Sequence, residues 1–264
     1  MLKGKTALVT GSTRGIGEAA ARALAAEGCN VMMSGFGDPD EIERKRASIE
    51  ADTGASVRYH NADLADADQV DDLAHAVEAA FGSFDILVNN AVIRYFHTVE
   101  TFRRDDWQHA LAVNLTAPFF LIQDALPGMR RRGWGRIVNM SSVMGLGARS
   151  GRADYITTKT GLLGLTRAVA AELRGEENIT CNALCPGSVL TPNTEIKIGE
   201  LARNEGIDFE DAKREYLLRR GQSTGYIEPA RVAKLIVFLC QDSSLDINGA
   251  AIPIDKGRAA TWLE

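Results

Sequence analysis

The stretch TALVTGSTRGIG, residues 6–17, runs from an apolar segment through a glycine-rich turn into a helical pattern. Residues 6–10 combine apolar and β-branched side chains, which predicts a short buried strand. Beyond the turn, apolar side chains recur from Ile16 through Ala20 to Leu24, the spacing of one helix face. A strand that turns directly into a helix begins a β-α-β unit, so we expect an α/β fold from this stretch onward.

Short apolar segments and helix-length amphipathic segments alternate along the rest of the chain. Further strands are predicted at residues 30–34, 56–63, 85–91, 136–142, 179–187 and 250–255. Further helices are predicted near residues 39–53, 66–81, 103–130, 153–174 and 229–241. The strands are almost continuously apolar, as in parallel sheets covered on both faces. The pattern predicts one α/β domain over residues 1–264, a doubly wound (Rossmann) parallel sheet with helices on both faces.

One segment departs from this alternation. Residues 188–225 are polar and rich in charge, with two helix-like pieces, and are too long for a plain connection. Long insertions in compact domains are usually lids or binding segments. The segment follows the end of a predicted strand, where open α/β sheets bind their ligands, so we expect a substrate lid here.

The composition excludes several classes of protein. A hydrophobic content of 45%, a charged content of 25% and a net charge of −5 are typical of a soluble globular protein. We expect no nucleic-acid partner, because the basic cluster MRRRGWGR (129–136) is short and is better explained as a solvated helix end. No apolar run approaches the roughly 18 residues that span a bilayer, so no membrane partner is expected.

Cysteines, histidines and the N-terminus carry little functional signal. The cysteines form neither a C-x-x-C pair nor a zinc pattern, which predicts reduced thiols: Cys29, Cys181, Cys185 and Cys240. The histidines are scattered, with no H-E-x-x-H motif, so no metal site is expected. The chain enters its first strand within a few residues, which leaves no room for a secretory leader and predicts a cytoplasmic protein.

The glycine-rich turn predicts a phosphate site. Gly11, Gly15 and Gly17 permit a tight turn, close approach of a pyrophosphate, and close packing of helix on sheet. The following helix start offers unpaired N–H groups to that anion. Asp63 is either a hydrogen-bond acceptor for an adenine amino group or a cap of the next helix. The amides of NNA (89–91) lie where they could hold a ribose or the turn itself.

A tyrosine and a lysine four residues apart form the candidate catalytic pair. Tyr155 and Lys159 share one face of a predicted helix, and an ammonium close to a phenol stabilises its deprotonated form. The alternative for such a pair taken alone is a surface tyrosine beside a surface lysine. Ser142 ends a strand at the same edge as the glycine turn, and Asn114 is a poor helix former among apolar neighbours. These two residues favour the catalytic interpretation.

Together, these features resemble the short-chain dehydrogenase/reductase family over nearly the whole chain. The resemblance rests on TGSTRGIG (10–17), NNA (89–91), PG (186–187) and the four polar residues Asn114, Ser142, Tyr155 and Lys159. It implies that Tyr155 donates or accepts the proton and that Ser142 orients the substrate oxygen. It also implies that Lys159 tunes the tyrosine and binds the nicotinamide ribose, and that Asn114 supports a water-linked proton relay. Hydride would pass directly between cofactor and substrate.

The resemblance also implies a nicotinamide cofactor site. Its residues would be Gly11, Thr13, Arg14, Gly15, Ile16, Gly17, Phe36, Asp63, Leu64, Asn90, Ala91, Tyr155, Lys159, Pro186, Gly187, Val189 and Thr191, the last meeting the carboxamide. The second strand ends in Gly35 and Phe36, with Asp38 slightly beyond. We expect NAD, with NADP as the alternative because Arg14 stands where many NADP-dependent members carry a cation. Val92 replaces a glycine that is usual after NNA, and Asp255-Lys256-Gly257 replaces the usual C-terminal DGG.

Within the family, the lid and the segment GFGDPDEIE (35–43) resemble bacterial D-3-hydroxybutyrate dehydrogenases, which use NAD. The substrate pocket is altered, because the neutral and basic residues that hold a small carboxylate there correspond to Arg94, Met144, Arg152 and Lys197. Two aromatic positions of that pocket correspond to Ser188 and Arg258. We expect an anionic substrate that is 3-hydroxybutyrate-like or bears a dicarboxylate, sulfonate or phosphate, since arginine binds oxyanions bidentately. The alternative for each arginine is a solvated surface cation.

Two other functions and the state of assembly stay open at the level of sequence. One alternative is an NADPH-dependent 3-oxoacyl-type ketoreductase acting on a neutral or carrier-bound substrate. The other is a non-catalytic nucleotide-sensing protein, which the intact polar tetrad disfavours. The helices near 103–130 and 153–174 contain small residues, among them Gly161 and Gly164, that suit packing between subunits. The resemblance implies a homotetramer or homodimer through these helices, unless they only cover the sheet.

Overall fold

Seven strands lie side by side in one parallel sheet of the computed structural model, which describes residues 2–222 and 225–261. The strands are β1 (Thr6–Val9), β2 (Asn30–Ser34), β3 (Val57–His60), β4 (Ile86–Asn89), β5 (Gly135–Met140), β6 (Ile179–Pro186) and β7 (Ala251–Ile254). Their order is β3-β2-β1-β4-β5-β6-β7, and each neighbouring pair is parallel. The direction of winding reverses between β1 and β4, which opens a crevice at their carboxyl ends.

Helices cover both faces of this sheet, so the predicted doubly wound fold is confirmed. They are α1 (Gly15–Ala26), α2 (Pro39–Thr53), α3 (Ala67–Phe81), α4 (Arg104–Leu111), α5 (Ala117–Arg132), α6 (Ala153–Glu172), α7 (Pro192–Glu205), α8 (Phe209–Leu218) and α9 (Pro229–Cys240). One core cluster packs α1 and α9 against the sheet, and a second packs α3 and α5 against the other face.

Several predicted strands are shorter than their apolar patterns. The segment 56–63 pairs only as β3, and 85–91 pairs only as β4. The residues that follow these strands in the predictions, 61–63 and 90–91, leave the sheet at its carboxyl edge and become loops. They lie next to the crevice because all strands are parallel, so their backbone is available to a ligand instead of to a neighbouring strand.

The helix predicted near 103–130 is not uniform. Between α4 and α5 lies a five-residue π-helical segment, Ala112–Thr116, that contains Asn114. A π-helical turn inserts one extra residue and widens the helix, which is common at functional sites. The whole run Arg104–Arg132 is long and apolar enough to cross a membrane by length and composition, contrary to our expectation, but half of its most apolar stretch is buried inside the protein.

The predicted lid is a pair of helices beyond the end of β6. Thr191 accepts a hydrogen bond from the N–H of Thr194 and so caps α7. The side chain of Asp208 caps α8 in the same way by accepting from the N–H of Asp211. The two helices pack on each other, and the chain returns to the body through the bridge between Val189 and Ile227. The lid therefore stands over the carboxyl edge of the sheet.

Candidate active site

A cavity of about 1150 Å³ opens at the carboxyl ends of the central strands. Every residue predicted for catalysis, cofactor or substrate lines it, except Gly17 and Asn114. The phosphate turn and Phe36 lie at one end, and Tyr155 and the lid lie at the other. The topology therefore gathers residues from seven separate segments of the chain into one site.

The glycine turn after β1 has no room for side chains. Gly11 has a φ of 63°, and a Cβ there would lie 2.8 Å from the Cα of Ala91. A Cβ on Gly17 would lie 2.2 Å from the carbonyl oxygen of Gly11. Gly17 therefore serves the packing of turn on helix and is not among the residues that line the cavity.

The start of α1 fits a pyrophosphate. Arg14 occupies the N-cap position of α1, and its side chain makes no capping hydrogen bond. The first N–H groups of the helix are therefore not paired by a cap. Arg14, Gly15 and Ile16 line the cavity at this point. Free N–H groups, the helix dipole and a cradle that a Cβ would fill are the features that a dinucleotide phosphate requires.

The NNA segment holds the turn. The Asn90 side chain donates to the carbonyl oxygens of Thr10, at 2.9 Å, and Gly11, at 3.1 Å. The Thr10 hydroxyl accepts from the N–H groups of Asn90 and Ala91 in return. Of the two predicted tasks for these amides, the structure assigns Asn90 to the turn. Asn89 faces inward and donates to Asn139 at 2.9 Å.

The opposite wall of this end offers a surface for an adenine ring. Phe36 is 61% exposed and lines the cavity together with Asp63 and Leu64. The carboxylate of Asp63 accepts from the N–H of Ala65, whereas Asp66 caps α3, so the capping alternative for Asp63 is wrong. Its position beside the cavity leaves the adenine interpretation as a prediction.

Tyr155, Lys159 and Ser142 meet at the other end. The Lys159 Nζ lies 5.7 Å from the centre of the Tyr155 ring and donates to the carbonyl oxygen of Met140 at 2.6 Å. Burial of this ammonium, with a contribution from Arg94, lowers the pKa of Lys159 to about 7. The Ser142 Oγ accepts from the N–H of Met144, which leaves its proton available for a substrate oxygen.

The Asn114 side chain bonds to the loop that follows β4 and does not line the cavity. Its Oδ1 accepts from the N–H of Ile93 at 2.9 Å, and its Nδ2 donates to the carbonyl oxygen of Ile93 at 3.0 Å. The same amide approaches the Thr158 hydroxyl at 3.3 Å. The side chain is thus committed to protein partners, so any part of Asn114 in a proton relay belongs to its main chain in the widened π turn.

Cations surround Tyr155 on the substrate side. The Arg152 guanidinium lies between two rings, 4.1 Å from that of Phe96 and 4.7 Å from that of Tyr155. Arg94 lies 5.8 Å from the Tyr155 ring, and Lys197 lies 4.8 Å from the Phe96 ring. Burial and the neighbouring cations lower the pKa of both Arg152 and Lys197. Such mutual repulsion is characteristic of a site that receives an anion.

Sequence reasoning missed two further cations of this wall, Arg149 and Arg220. Arg220 follows α8, donates to the Tyr216 hydroxyl at 2.6 Å and stacks on that ring at 3.8 Å. Burial lowers the pKa of Arg220, and the positive charges of Arg149 and Arg94 lower it further. The only local signal was the four-residue spacing of Tyr216 and Arg220 inside the predicted lid.

Comparison with known proteins agrees with this geometry. The family model described as short chain dehydrogenase matches residues 5–199. The D-beta-hydroxybutyrate dehydrogenase of Cupriavidus necator is 41% identical over 260 residues, covering 98% of this chain and all of that protein. A 3-oxoacyl-(acyl-carrier-protein) reductase of Staphylococcus aureus is 36% identical, covering 96% and 97%. The L-sorbose reductase of Gluconobacter frateurii, solved with NADPH and L-sorbose, superposes with a TM-score of 0.92 at 29% identity, covering 98% of both chains.

Proposed function

The chain belongs to the short-chain dehydrogenase family and is a nicotinamide-dependent oxidoreductase of hydroxyl and carbonyl groups. From this premise, we propose that it oxidises the secondary hydroxyl of an anionic hydroxy acid, with NAD as the preferred cofactor. The observation that carries the proposal is the pair of guanidinium groups, Arg94 and Arg152, on the face of the Tyr155 ring. A carboxylate, sulfonate or phosphate next to the reacting carbon would meet bidentate donors there.

Tyr155 performs the proton transfer in this proposal. The phenol oxygen, as phenolate, takes the proton of the substrate hydroxyl, and in the reverse direction it returns that proton to the carbonyl oxygen. Ser142 donates a hydrogen bond to the same oxygen and orients it. Bound NAD supplies the hydride acceptor for the substrate carbon. Lys159, held by the carbonyl oxygen of Met140, places a positive charge beside the phenolate.

The chain would hold the cofactor through backbone more than through side chains. The turn from Gly11 to Ile16 would hold the pyrophosphate, and the loop from Pro186 to Thr191 would flank the nicotinamide. Asp38 caps α2 by accepting from the N–H of Glu41, while Lys45 bonds to Thr13 and to Glu18 and Glu41. Lys45 is thus neutralised beside the ribose end, which favours NAD over NADP, whose ribose carries a 2′-phosphate. Arg14 is the residue that would favour NADP.

We also propose that the enzyme is cytoplasmic and homo-oligomeric. All four cysteines are buried free thiols, and burial raises the pKa of Cys29 and of Cys181 to about 12, which makes them inert. On α5, Phe119 is 47% exposed, and on α6 a Cβ at Gly164 would meet nothing within 4 Å. A smooth face with an exposed aromatic ring suits a second subunit, whereas Gly161 packs internally against Leu115.

The test is NAD reduction, followed by absorbance, on a panel of hydroxy acids, sulfonated and phosphorylated alcohols and neutral polyols. We expect an anionic member to be the best substrate, and Arg94→Ala and Arg152→Ala each to raise its KM about tenfold or more through lost charged hydrogen bonds. Arg103→Ala serves as the matched control, because Arg103 lies outside this cavity and pairs with acidic neighbours. An unchanged KM in both cavity variants would contradict the anionic substrate.

The two alternatives give different results in the same assay. An NADPH-dependent ketoreductase of the kind suggested by the similar 3-oxoacyl reductase would bind NADPH more tightly than NADH and prefer a neutral or carrier-bound 3-oxo thioester. A nucleotide sensor would bind the cofactor without turning over any carbonyl or alcohol in the panel. The unbroken set of Ser142, Tyr155 and Lys159 around one cavity supports the enzyme.

A further inference from the structure

The half of the cavity around Tyr155 is strongly positive in a chain whose net charge is −5. Of the described residues, its lining includes one carboxylate, Glu200, apart from Asp63 at the adenine end. Against it stand the cations of the loops and the lid, beyond the catalytic lysine: Arg94, Arg149, Arg152, Lys197, Arg220 and Arg258. A single carboxylate on the substrate would leave most of this charge uncompensated.

Five of these cations form no ion pair among the described residues: Arg94, Arg149, Arg152, Lys197 and Arg220. Arg219 forms ion pairs of 2.6 Å with Glu205 and 2.7 Å with Glu215. The adjacent Arg220 forms no ion pair within residues 2–222 and 225–261, and the same holds for Arg149 and Lys197. Two neighbouring arginines thus differ in the direction they face: one pairs on the outside of the lid, and the other lines the cavity.

The cations form two groups. Arg94 and Arg152 lie on the body of the protein, against the Tyr155 ring. Arg220 belongs to the lid and is fixed by Tyr216, while Arg149 donates to the carbonyl oxygen of Arg219 and so ties its loop to the end of the lid. Lys197 stands on α7 between the groups, and its pKa is lowered by burial and by Arg94, Arg220 and Arg152.

On the basis of the proposed function, we propose that the substrate carries two oxyanion groups, one on each side of the hydroxyl. The first binds to Arg94 and Arg152 next to Tyr155. The second binds to Arg220 of the lid, with Arg149 and Lys197 beside it, and joins the lid to the body through the substrate. Guanidinium groups accept carboxylate, sulfonate and phosphate by the same bidentate geometry, so the shared chemistry is a hydroxyl compound with two such groups.

The test compares compounds that differ by one charge. 3-Hydroxyglutarate is 3-hydroxybutyrate with a second carboxylate on its methyl end, and its monomethyl ester keeps the size and removes that charge. We expect kcat/KM for the diacid to exceed that for the ester by roughly 10- to 100-fold, as for one charged hydrogen-bonded pair. Sulfonate and phosphate analogues of the second group then identify which oxyanion is preferred.

Arg220→Ala should bring the preference for diacid over ester close to one, and Arg220→Lys should restore part of it. Arg219→Ala is the matched control and should keep the full preference, because Arg219 pairs on the outer side of the lid. An ester that serves as well as the diacid, or a preference unaffected by Arg220→Ala, overturns the second subsite. Faster NADPH-dependent reduction of acetoacetyl-coenzyme A than of any diacid ketone also overturns it.

The failure of this inference differs from the failure of the proposed function. If monoacids and diacids are oxidised equally well and Arg152→Ala still raises KM, the anionic hydroxy acid remains the substrate and only the second subsite is wrong. If neutral polyols are better substrates than every anion, both proposals are wrong.

Discussion

Lys159 is a buried cation in the protein without its cofactor. Its Nζ has one described protein acceptor, the carbonyl oxygen of Met140, and lies beside Tyr155. Burial, together with the positive charge of Arg94, lowers its pKa to about 7. Keeping the ammonium charged in the folded state therefore costs free energy of folding. A lysine in this state gives up and regains a proton near neutral pH, which suits the place beside the acid–base group proposed for Tyr155.

The sign of the resulting pH dependence follows from proton counts. In the unfolded chain an ordinary lysine keeps its proton to about pH 10, whereas folded Lys159 releases it near pH 7. Between these values the unfolded chain binds more protons, so the contribution of Lys159 to stability rises with pH. Below pH 7, Lys159 is charged in both states, so the full cost of burying its charge reduces the free energy of unfolding.

We predict that Lys159→Met, in cofactor-free protein, gains stability relative to the parent at pH 6 and loses about 3 kcal/mol of that gain by pH 9.5. The measurement is the free energy of unfolding in urea at several pH values. Lys213→Met, which removes an ion-paired lysine of α8, is the control and should show no such trend. A difference between Lys159→Met and the parent that stays constant with pH would contradict the buried ammonium.

At the scale of elements, the glycine turn and the helix α1 form one binding device. Gly11, in the left-handed region, brings the turn against Ala91, and Gly17 lets α1 approach the turn. The spacing of the glycines between an apolar run and a helical pattern is local in sequence, so the strand, the turn, the helix and their ligand class could be predicted from residues 6–17. A packing role for the glycines could be predicted as well, but the atoms that Gly11 and Gly17 approach are visible only in the fold.

We predict that Gly17→Ala abolishes cofactor binding, because its Cβ would lie 2.2 Å from the Gly11 carbonyl oxygen. The turn must shift, and the phosphate cradle shifts with it. Fluorescence titration with NADH measures the loss, together with a lower melting temperature. Gly199→Ala is the matched control: on α7 its Cβ would make only an ordinary contact of 3.7 Å with Arg203, so binding should persist and the helix gain up to about 1 kcal/mol. Equal NADH affinity in both variants would contradict the role of the turn.

The π segment shows what periodicity cannot supply. Asn114 was singled out as a poor helix former, and the structure explains it by hydrogen bonds to both backbone groups of Ile93, 21 residues away. No pattern within the helix encodes this partner. The sequence therefore predicted an unusual residue in the right place, whereas the π-helical segment within the predicted helix was visible only in the structure.

At the scale of the whole molecule, the parallel sheet explains why most of the predicted site residues line one cavity. Residues that follow strands, such as Asn90, Ser142 and Gly187, reach one edge by topology alone, and Tyr155 and Lys159 share a helix face by their spacing. Arg220 has no such relation to Arg94 or Tyr155, since the lid folds back over the cavity through tertiary packing. Its contribution to the positive wall was therefore visible only in the structure.

The charge distribution also operates at this scale. A chain with a net charge of −5 concentrates cations on one wall of one cavity, close to the phenol of Tyr155. Under the proposed function, this arrangement would attract an anion to the place where its hydroxyl is oxidised, and the acidic remainder of the surface would disfavour anions elsewhere. Substrate selection and proton transfer would then meet at the oxygen of Tyr155.

The most direct measurement is the turnover number of Tyr155→Phe on the best anionic hydroxy acid, with NADH affinity measured in parallel. We predict a fall in kcat of roughly 100-fold or more, the contribution expected of one positioned acid–base group, while NADH still binds. Ile156→Val, a neighbouring change on the same helix outside the cavity lining, should leave both nearly unchanged. A Tyr155→Phe enzyme that oxidises this substrate as fast as the parent would contradict the account.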